Sequence, residues 1–244
     1  MRGQDPYQGL DMSSDAFTKA EMSRADIETL VATNKGIAPI DLSGKSLNGL
    51  DLSDLDLRGV LLRAARLNKT KLRGAQLQGA ALDAVWGLEA DFSQANLQGA
   101  SLIGGQFVNG IFDEADFSKA KVKSNFSRAS LVNARFDGAD LSPGHKNQRA
   151  MVKRSFEGAI LNGASFKAAN LIEADFQFAL MINVDLTDAN MVNANLSGVT
   201  LSGADVTNAD FNGSDLNSAK LLGIKNLEKA KYFDKVLNLE TTFR

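Results

Sequence analysis

From Leu42 a large apolar residue returns at every fifth position: Leu47, Leu52, Leu57, Leu62, Leu67, Leu72, Leu77 and Leu82. The beat falters at "AVWGLEA" and resumes in phase at Phe92, Leu97, Leu102, Phe107, Phe112, Phe117 and Val122. One residue is then lost. The shifted series runs Phe126, Leu131, Phe136 and Leu141, then Phe156, Leu161, Phe166 and Leu171 on to Leu221. Two places before most of these stands a small residue, usually alanine, as at Ala75, Ala95, Ala134, Ala174 and Ala209. The places between hold Asp, Asn, Ser, Gln, Lys, Arg or Gly.

A period of five fits neither the 3.6 of a helix nor the two of a strand. If five residues form one side of a square coil, four sides close a turn, with the large residue and the small one before it pointing inward. Stacked coils then pair backbone to backbone at about 4.8 Å, and roughly nine of them make a rod of about 43 Å. Burying one large side chain contributes about 1.5–3 kcal/mol, whereas ordering five residues costs roughly 5–10 kcal/mol of backbone entropy. A lone repeat is therefore unstable, and stacking is obligatory. The end coils need covers, because open strand edges invite aggregation.

Two interruptions carry separate information. "SPGHKNQRAMVKR", residues 142–154, would place Lys146 at a core centre and Arg149 and Arg154 at small inward positions, where unpaired charge is prohibitive. Pro143 and Gly144 favour a turn out of the coil, so the segment is predicted to project as a loop. Its His145, Lys146, Arg149, Lys153 and Arg154, without one acid, make it a candidate partner-binding element. Met151 falls on the beat, so a shorter loop returning there is the competing reading. At the other interruption Gly87 takes a core centre beside the single tryptophan, Trp86, and a bulge or small bend is expected.

The ends read as caps. "NLEKAKYFDKVLN", residues 226–238, predicts a helix opened by Asn226, with Phe233 and Leu237 on one side and Tyr232 and Val236 widening that face. Met12, Phe17, Met22 and Ile27 keep the five-residue beat and suggest a degenerate coil. Against this, Ser23 and Asp26 resemble a capping box, and a lid helix from about 24 to 34 is the favoured reading. Domain boundaries follow: 1–36 tail and cap, 37–225 solenoid, 226–244 C-terminal cap and tail.

Composition limits function. The 244 residues are 44% hydrophobic and 23% charged, with a net charge of −2, so no overall field favours nucleic acid or an anionic membrane. Without cysteine there are no disulfides, thiolate metal sites or cysteine nucleophiles. No secretion signal or membrane span is evident, and a cytoplasmic protein is expected. The one histidine has no neighbouring acid to orient it, and neither a phosphate cradle nor metal-ligand spacing appears. The expectation is a non-enzyme without cofactor or metal. Residues 57–82 carry Arg58, Arg63, Arg66, Lys69, Lys71 and Arg73 without an acid, whereas acids dominate 156–221. Apolar residues at outward positions mark a sticky patch: Ile172 and Val192 should stack on one face, with Phe178, Leu180 and Ile182 around a neighbouring corner.

The units "GADLS", "SQANLQ", "EADFQ", "DANMV" and "NADFN" resemble the A(D/N)LXX motif of the pentapeptide repeat family. That resemblance implies an all-β, right-handed quadrilateral β-helix, here with short helical caps at both termini. The implied function is a rigid scaffold or adaptor for a protein partner. A likeness to the Qnr-type members implies an alternative, a DNA mimic that modulates or protects DNA gyrase or topoisomerase IV without binding nucleic acid. The near-neutral total, the basic band and the cationic loop oppose it. A secretion-system effector or accessory module is a second alternative. In the gyrase-protecting branch the C-terminal end dimerises, which implies a homodimer through Tyr232, Phe233, Val236 and Leu237.

Overall fold

The computed structural model describes residues 11–34, 38–143 and 154–243. From Asp41 the backbone winds in four-sided coils. Asp41, Ser46, Asp51 and Asp56, one on each side, form parallel bridges to Leu61, Arg66, Lys71 and Gln76 of the next coil. The first side climbs through Asp41, Leu61, Ala81, Ser101, Lys121, Asp140, Asn170, Asn190, Asp210 and Lys231. The second starts at Ser46, the third at Asp51 and the fourth at Asp56. Among the described residues pairing widens into strands only at β1 (Ser101–Gln106) and β2 (Lys121–Asn125), which lie parallel. Each coil satisfies its neighbour's backbone: Leu42 N–H donates to Leu61 O at 2.8 Å, and Leu61 N–H to Ile40 O at 2.9 Å.

Both inward positions are filled as the period requires, and Leu57, Phe117, Phe166 and Phe211 are all buried. Phenylalanines form two long internal columns, besides a stacked pair, Phe92 and Phe112, at 4.9 Å on the third side. On the fourth side Phe117, Phe136 and Phe166 stack at 4.6 and 4.8 Å, within 7° of parallel. On the second side Phe107, Phe126, Phe156 and Phe176 stack at 5.1–5.2 Å. The columns meet edge-on, as between Phe136 and Phe156 at 88°. Offset stacks and edges both suit the ring quadrupole.

Corners explain why five residues make a side. Ala65 N–H donates to Leu62 O at 3.0 Å, closing a turn whose third residue, Ala64, has φ 54°. Glycine takes this left-handed place at Gly44, Gly59 and Gly79, but alanine, lysine, glutamate and even Phe178 occupy it elsewhere. The left-handed region costs an L-residue about 1–2 kcal/mol, more than the unfolded-state entropy a glycine adds. Ala64→Gly, at an exposed corner, should therefore raise stability by about 0.5–1 kcal/mol in a urea melt, opposite to the usual sign.

The lost residue is a lost corner. Ile111, Asp116 and Lys121 bridge to Ser130, Arg135 and Asp140, one residue short of the usual step. No left-handed residue lies between Lys119 and Arg128. Buried Ser124 repairs the gap: its hydroxyl donates to Leu102 O at 2.5 Å and accepts from Gly105 N–H at 2.9 Å.

At Gly87 the expected bulge is absent. The ladder continues through Arg66, Trp86 and Gln106, and Gly87 N–H donates to Gln106 O at 2.8 Å. The missing side chain is replaced from the next coil, because a Cβ on Gly87 would lie 2.8 Å from the Phe107 ring. Gly105 relieves the same ring on its other flank, where a Cβ would meet it at 2.5 Å.

Two helices lie at the N-terminal end, α1 (Asp15–Thr18) and α2 (Arg24–Thr33). Ser23 and Asp26 form a capping box, and Ile27 of α2 is fully buried against the first coil. Met12 and Phe17 do not form a coil. Phe17 instead lies edge-on to Trp86 at 5.4 Å, outside the solenoid. At the other end the expected helix over 226–238 is corrected: three separate 3-10 turns occupy Leu227–Lys229, Phe233–Lys235 and Leu239–Thr241. They are the corners of a further coil with six-residue sides, bridged as Asp205–Lys225, Asp210–Lys231, Asp215–Leu237 and Lys220–Phe243. Left-handed Asn226, Tyr232 and Asn238 precede the turns. Leu227, Ala230, Phe233, Val236 and Leu239 pack inward onto the core. The apolar spacings of i, i+3 and i, i+4 that predict a helix also arise from six-residue sides with tight corners.

Candidate interaction surface

Most outward carboxylates are committed to the fold. Where aspartate precedes the core centre it accepts the backbone N–H two places on: Asp185 from Thr187, Asp205 from Thr207, Asp210 from Asn212 and Asp215 from Asn217, at 2.9–3.0 Å. The Thr207 hydroxyl and backbone N–H hold the Asp205 carboxyl below the ordinary carboxylate range. At Asp185 burial pushes upward, but the bonds from Thr187 and Lys167 outweigh it and the net direction is down. The acid-rich coils therefore carry Asp for local geometry.

The basic band is a girdle rather than a patch. Arg58 lies on the fourth side, Arg63 on the first, Arg66 and Lys69 on the second, and Lys71 and Arg73 on the third. Acids in its own or adjoining coils face four of them: Asp56 to Arg58 at 2.5 Å, Asp83 to Arg63 at 3.7 Å, Glu89 to Lys69 at 3.8 Å and Asp51 to Lys71 at 3.9 Å. Such exposed pairs contribute little stability but leave no concentrated field.

The apolar residues expected to share a patch fall on opposite sides. Ile172 and Val192 stack on the first side, where Glu173 N–H donates to Val192 O at 3.0 Å, and both are half-buried. Leu180 and Ile182 are on the third side, and Phe178 is on the corner leading to it. The third side gathers more than the sequence suggested. Ile111, Ser130, Ile160, Leu180 and Thr200 are consecutive rungs of one ladder, about 19 Å long at the ordinary strand spacing. Ile111, Ile160 and Leu180 are 38–40% exposed and Phe178 is 59% exposed. The Phe178 ring rests on Gly198 of the next coil, where a Cβ would meet it at 2.4 Å.

His145, Lys146, Arg149 and Lys153 lie outside the described residues. Half-buried Arg154 adjoins Ser155, where the ladder resumes with bridges to Asn125 and Asp175. The beat residue Met151 lies outside the described residues as well. In the last coil Phe233 packs inward, edge-on to Phe211 at 5.5 Å, and Val236 also faces the core. Tyr232 and Leu237 face out, with Leu222 and Phe243 exposed beside them on the last rungs. Among the described residues no cluster of three or more His, Asp or Glu side chains could hold a metal, and no helix is long and apolar enough to cross a membrane.

Pentapeptide repeats match residues 41–85, 90–123, 122–142, 155–188 and 179–217, in eight copies. The chain belongs to the pentapeptide repeat family. Pentapeptide repeat proteins fold as right-handed quadrilateral β-helices and are generally structural or binding proteins. The matched ranges omit 86–89 and 143–154, the two places where the beat fails, and stop before the six-residue coil.

Solved pentapeptide repeat structures are similar at low identity. HetL, involved in heterocyst differentiation regulation in the cyanobacterium Nostoc sp. strain PCC 7120, is 24% identical over 86% of this chain and 94% of its own, with a TM-score of 0.38. QnrB1, a plasmid-mediated fluoroquinolone resistance protein, is 18% identical over 83% of this chain and 96% of its own, with a TM-score of 0.49. A pentapeptide repeat protein of the Arabidopsis thaliana thylakoid lumen is 26% identical over 60% and 69%, with a TM-score of 0.22. Among curated proteins none matches this chain.

Ile111 and Ile160 escaped the sequence reading although a signal was present. Pentapeptide repeats usually place Asp, Asn or Ser before the centre, and here isoleucine or leucine takes that place repeatedly on one side. The one-residue loss and the inserted loop hide this alignment, because the rungs are no longer twenty residues apart.

Proposed function

We propose that this pentapeptide repeat protein is a non-enzymatic scaffold, and that its third side binds a protein partner. The observation that carries the reading is the third-side ladder of Ile111, Ile160 and Leu180, interrupted by Ser130, with Phe178 at its edge and Ile182 beside it, an apolar strip on a rigid face. Rigidity supports it: each rung is fixed by main-chain bonds on both sides, so little ordering entropy opposes docking. A cytoplasmic setting is part of this proposal.

Ile160→Asp with Leu180→Asp tests it. Both side chains point outward, so the thermal melt should stay close to the parent's while proteins captured by the intact chain are lost. The same proteins retained by the double variant would refute the strip as the docking face. Type II topoisomerase is one candidate partner, and unchanged supercoiling by DNA gyrase with fluoroquinolone present and absent would remove it. End-to-end pairing is a second reading, favoured by exposed Leu222, Tyr232, Leu237 and Phe243 around the last coil.

A further inference from the structure

The second side of the first three coils holds the N-terminal arm of the same chain. Asn48 Oδ1 accepts from Asn68 N–H at 2.9 Å, and Asn68 Oδ1 accepts from Leu88 N–H at 3.0 Å. Those bonds fix both amides one coil apart, and Asn48 Nδ2 also donates to Ser46 Oγ of its own coil at 2.8 Å. The groups meet the N-terminal arm: Asn48 Nδ2 donates to Ala16 O at 3.1 Å and to Lys19 O at 3.3 Å, and Asn68 Nδ2 donates to Phe17 O at 3.3 Å. The Ser46 hydroxyl also donates to Lys19 O. Glu21 N–H donates to Ser46 O at 2.9 Å, beside an antiparallel bridge between Ala20 and Leu47.

The carbonyls so engaged come from α1 and the residue after it, where a helical turn leaves acceptors without intrahelical donors. Two side-chain contacts add selectivity: the Phe17 ring lies edge-on to Trp86 at 5.4 Å, and the Glu21 carboxylate pairs with Lys45 at 2.8 Å. No residue of α1 is buried, and among the described residues the first fully buried side chain is Ile27 of α2. The arm is thus held by polar contacts, the Glu21–Lys45 ion pair and the Phe17 ring, while the lid that closes the solenoid is anchored separately through Ile27. Asn48 and Asn68 are 5% and 6% exposed under it.

We propose that Ser46, Asn48, Asn68 and Trp86 form a peptide-capture site distinct from the apolar third side, and that residues 14–21 are its intramolecular occupant. The partner it fits is a protein segment with one helical turn, an aromatic residue on that turn and free carbonyls at its end. Such a segment competes with the arm for the same donors. Asn48 and Asn68 read the main chain, and Trp86 reads the aromatic ring.

Trp86 is the chain's only tryptophan, so its emission reports the site directly. In the full chain, Phe17→Ala should release the arm and shift that emission to the red. Adding a synthetic peptide of residues 11–22 should reverse the shift saturably, and bind this variant more tightly than the parent, whose site is filled. Asn68→Asp keeps the acceptor for Leu88 N–H and removes the outward donor, so in the Phe17→Ala background it should weaken the peptide roughly threefold to tenfold. Absence of peptide binding to Phe17→Ala, or equal binding with and without Asn68→Asp, overturns the proposal. A parent dimer by light scattering that Phe17→Ala dissolves would make a second copy the occupant and overturn the partner reading.

Discussion

Phe126→Ala should cost about 3–5 kcal/mol, the range for removing a buried aromatic ring. The side chain is fully buried and touches four other rings: Phe107 at 5.2 Å, Phe112 at 5.1 Å, Phe117 at 6.0 Å and Phe156 at 5.2 Å. Neighbouring coils cannot move together to close the void, because main-chain bonds hold Phe126 N–H to Ser155 O at 2.7 Å and Phe107 N–H to Asn125 O at 2.8 Å. A guanidinium melt reads the effect as a lower midpoint. A loss under about 1 kcal/mol would mean that the coils collapse on the cavity and that the core is softer than its ladder implies.

Gly87→Leu separates the periodicity from the packing. By the five-residue rule leucine belongs at that place, and restoring it should stabilise the rod. The three-dimensional arrangement reverses the sign. The Phe107 ring already occupies the space, 2.8 Å from where the first side-chain carbon would sit, so overpacking of about 1–3 kcal/mol is expected. Phe107→Leu alone should also destabilise, by leaving the volume beneath Gly87 unfilled. The double variant should recover part of both losses, with a coupling of about 0.5–3 kcal/mol in a double-mutant cycle. Additive losses would show that the two positions do not share one space.

The candidate surface was only half legible. Leu180, Ile182 and Phe178 stood out as apolar residues at outward places, and they do share a side and its edge. Ile172 and Val192 stood out for the same reason but lie on the opposite side. All five lie in the regular run after the loop, where ten residues are two sides, so Asn170 and Leu180 begin opposite faces; the lost corner and the inserted loop hide only the alignment of Ile111 with Ile160 and Leu180. The N-terminal arm was less legible still. Phe17 kept the beat of the core, yet its ring is spent on Trp86 outside the coil.

From the amino-acid order alone came the four-sided coil, its inward residues and the positions of its interruptions, because a fixed period is a local property that each repeat expresses through its own five side chains. Tertiary structure decided what crosses between coils: Phe107 filling the place of Gly87, Asn48 and Asn68 holding the arm, Ile111 rising in line with Leu180. The six-residue final coil belongs with these, since only its seat on the preceding coil distinguishes its tight corners from the turns of a helix. These contacts join residues about twenty or more apart, and no local preference encodes which of them will meet.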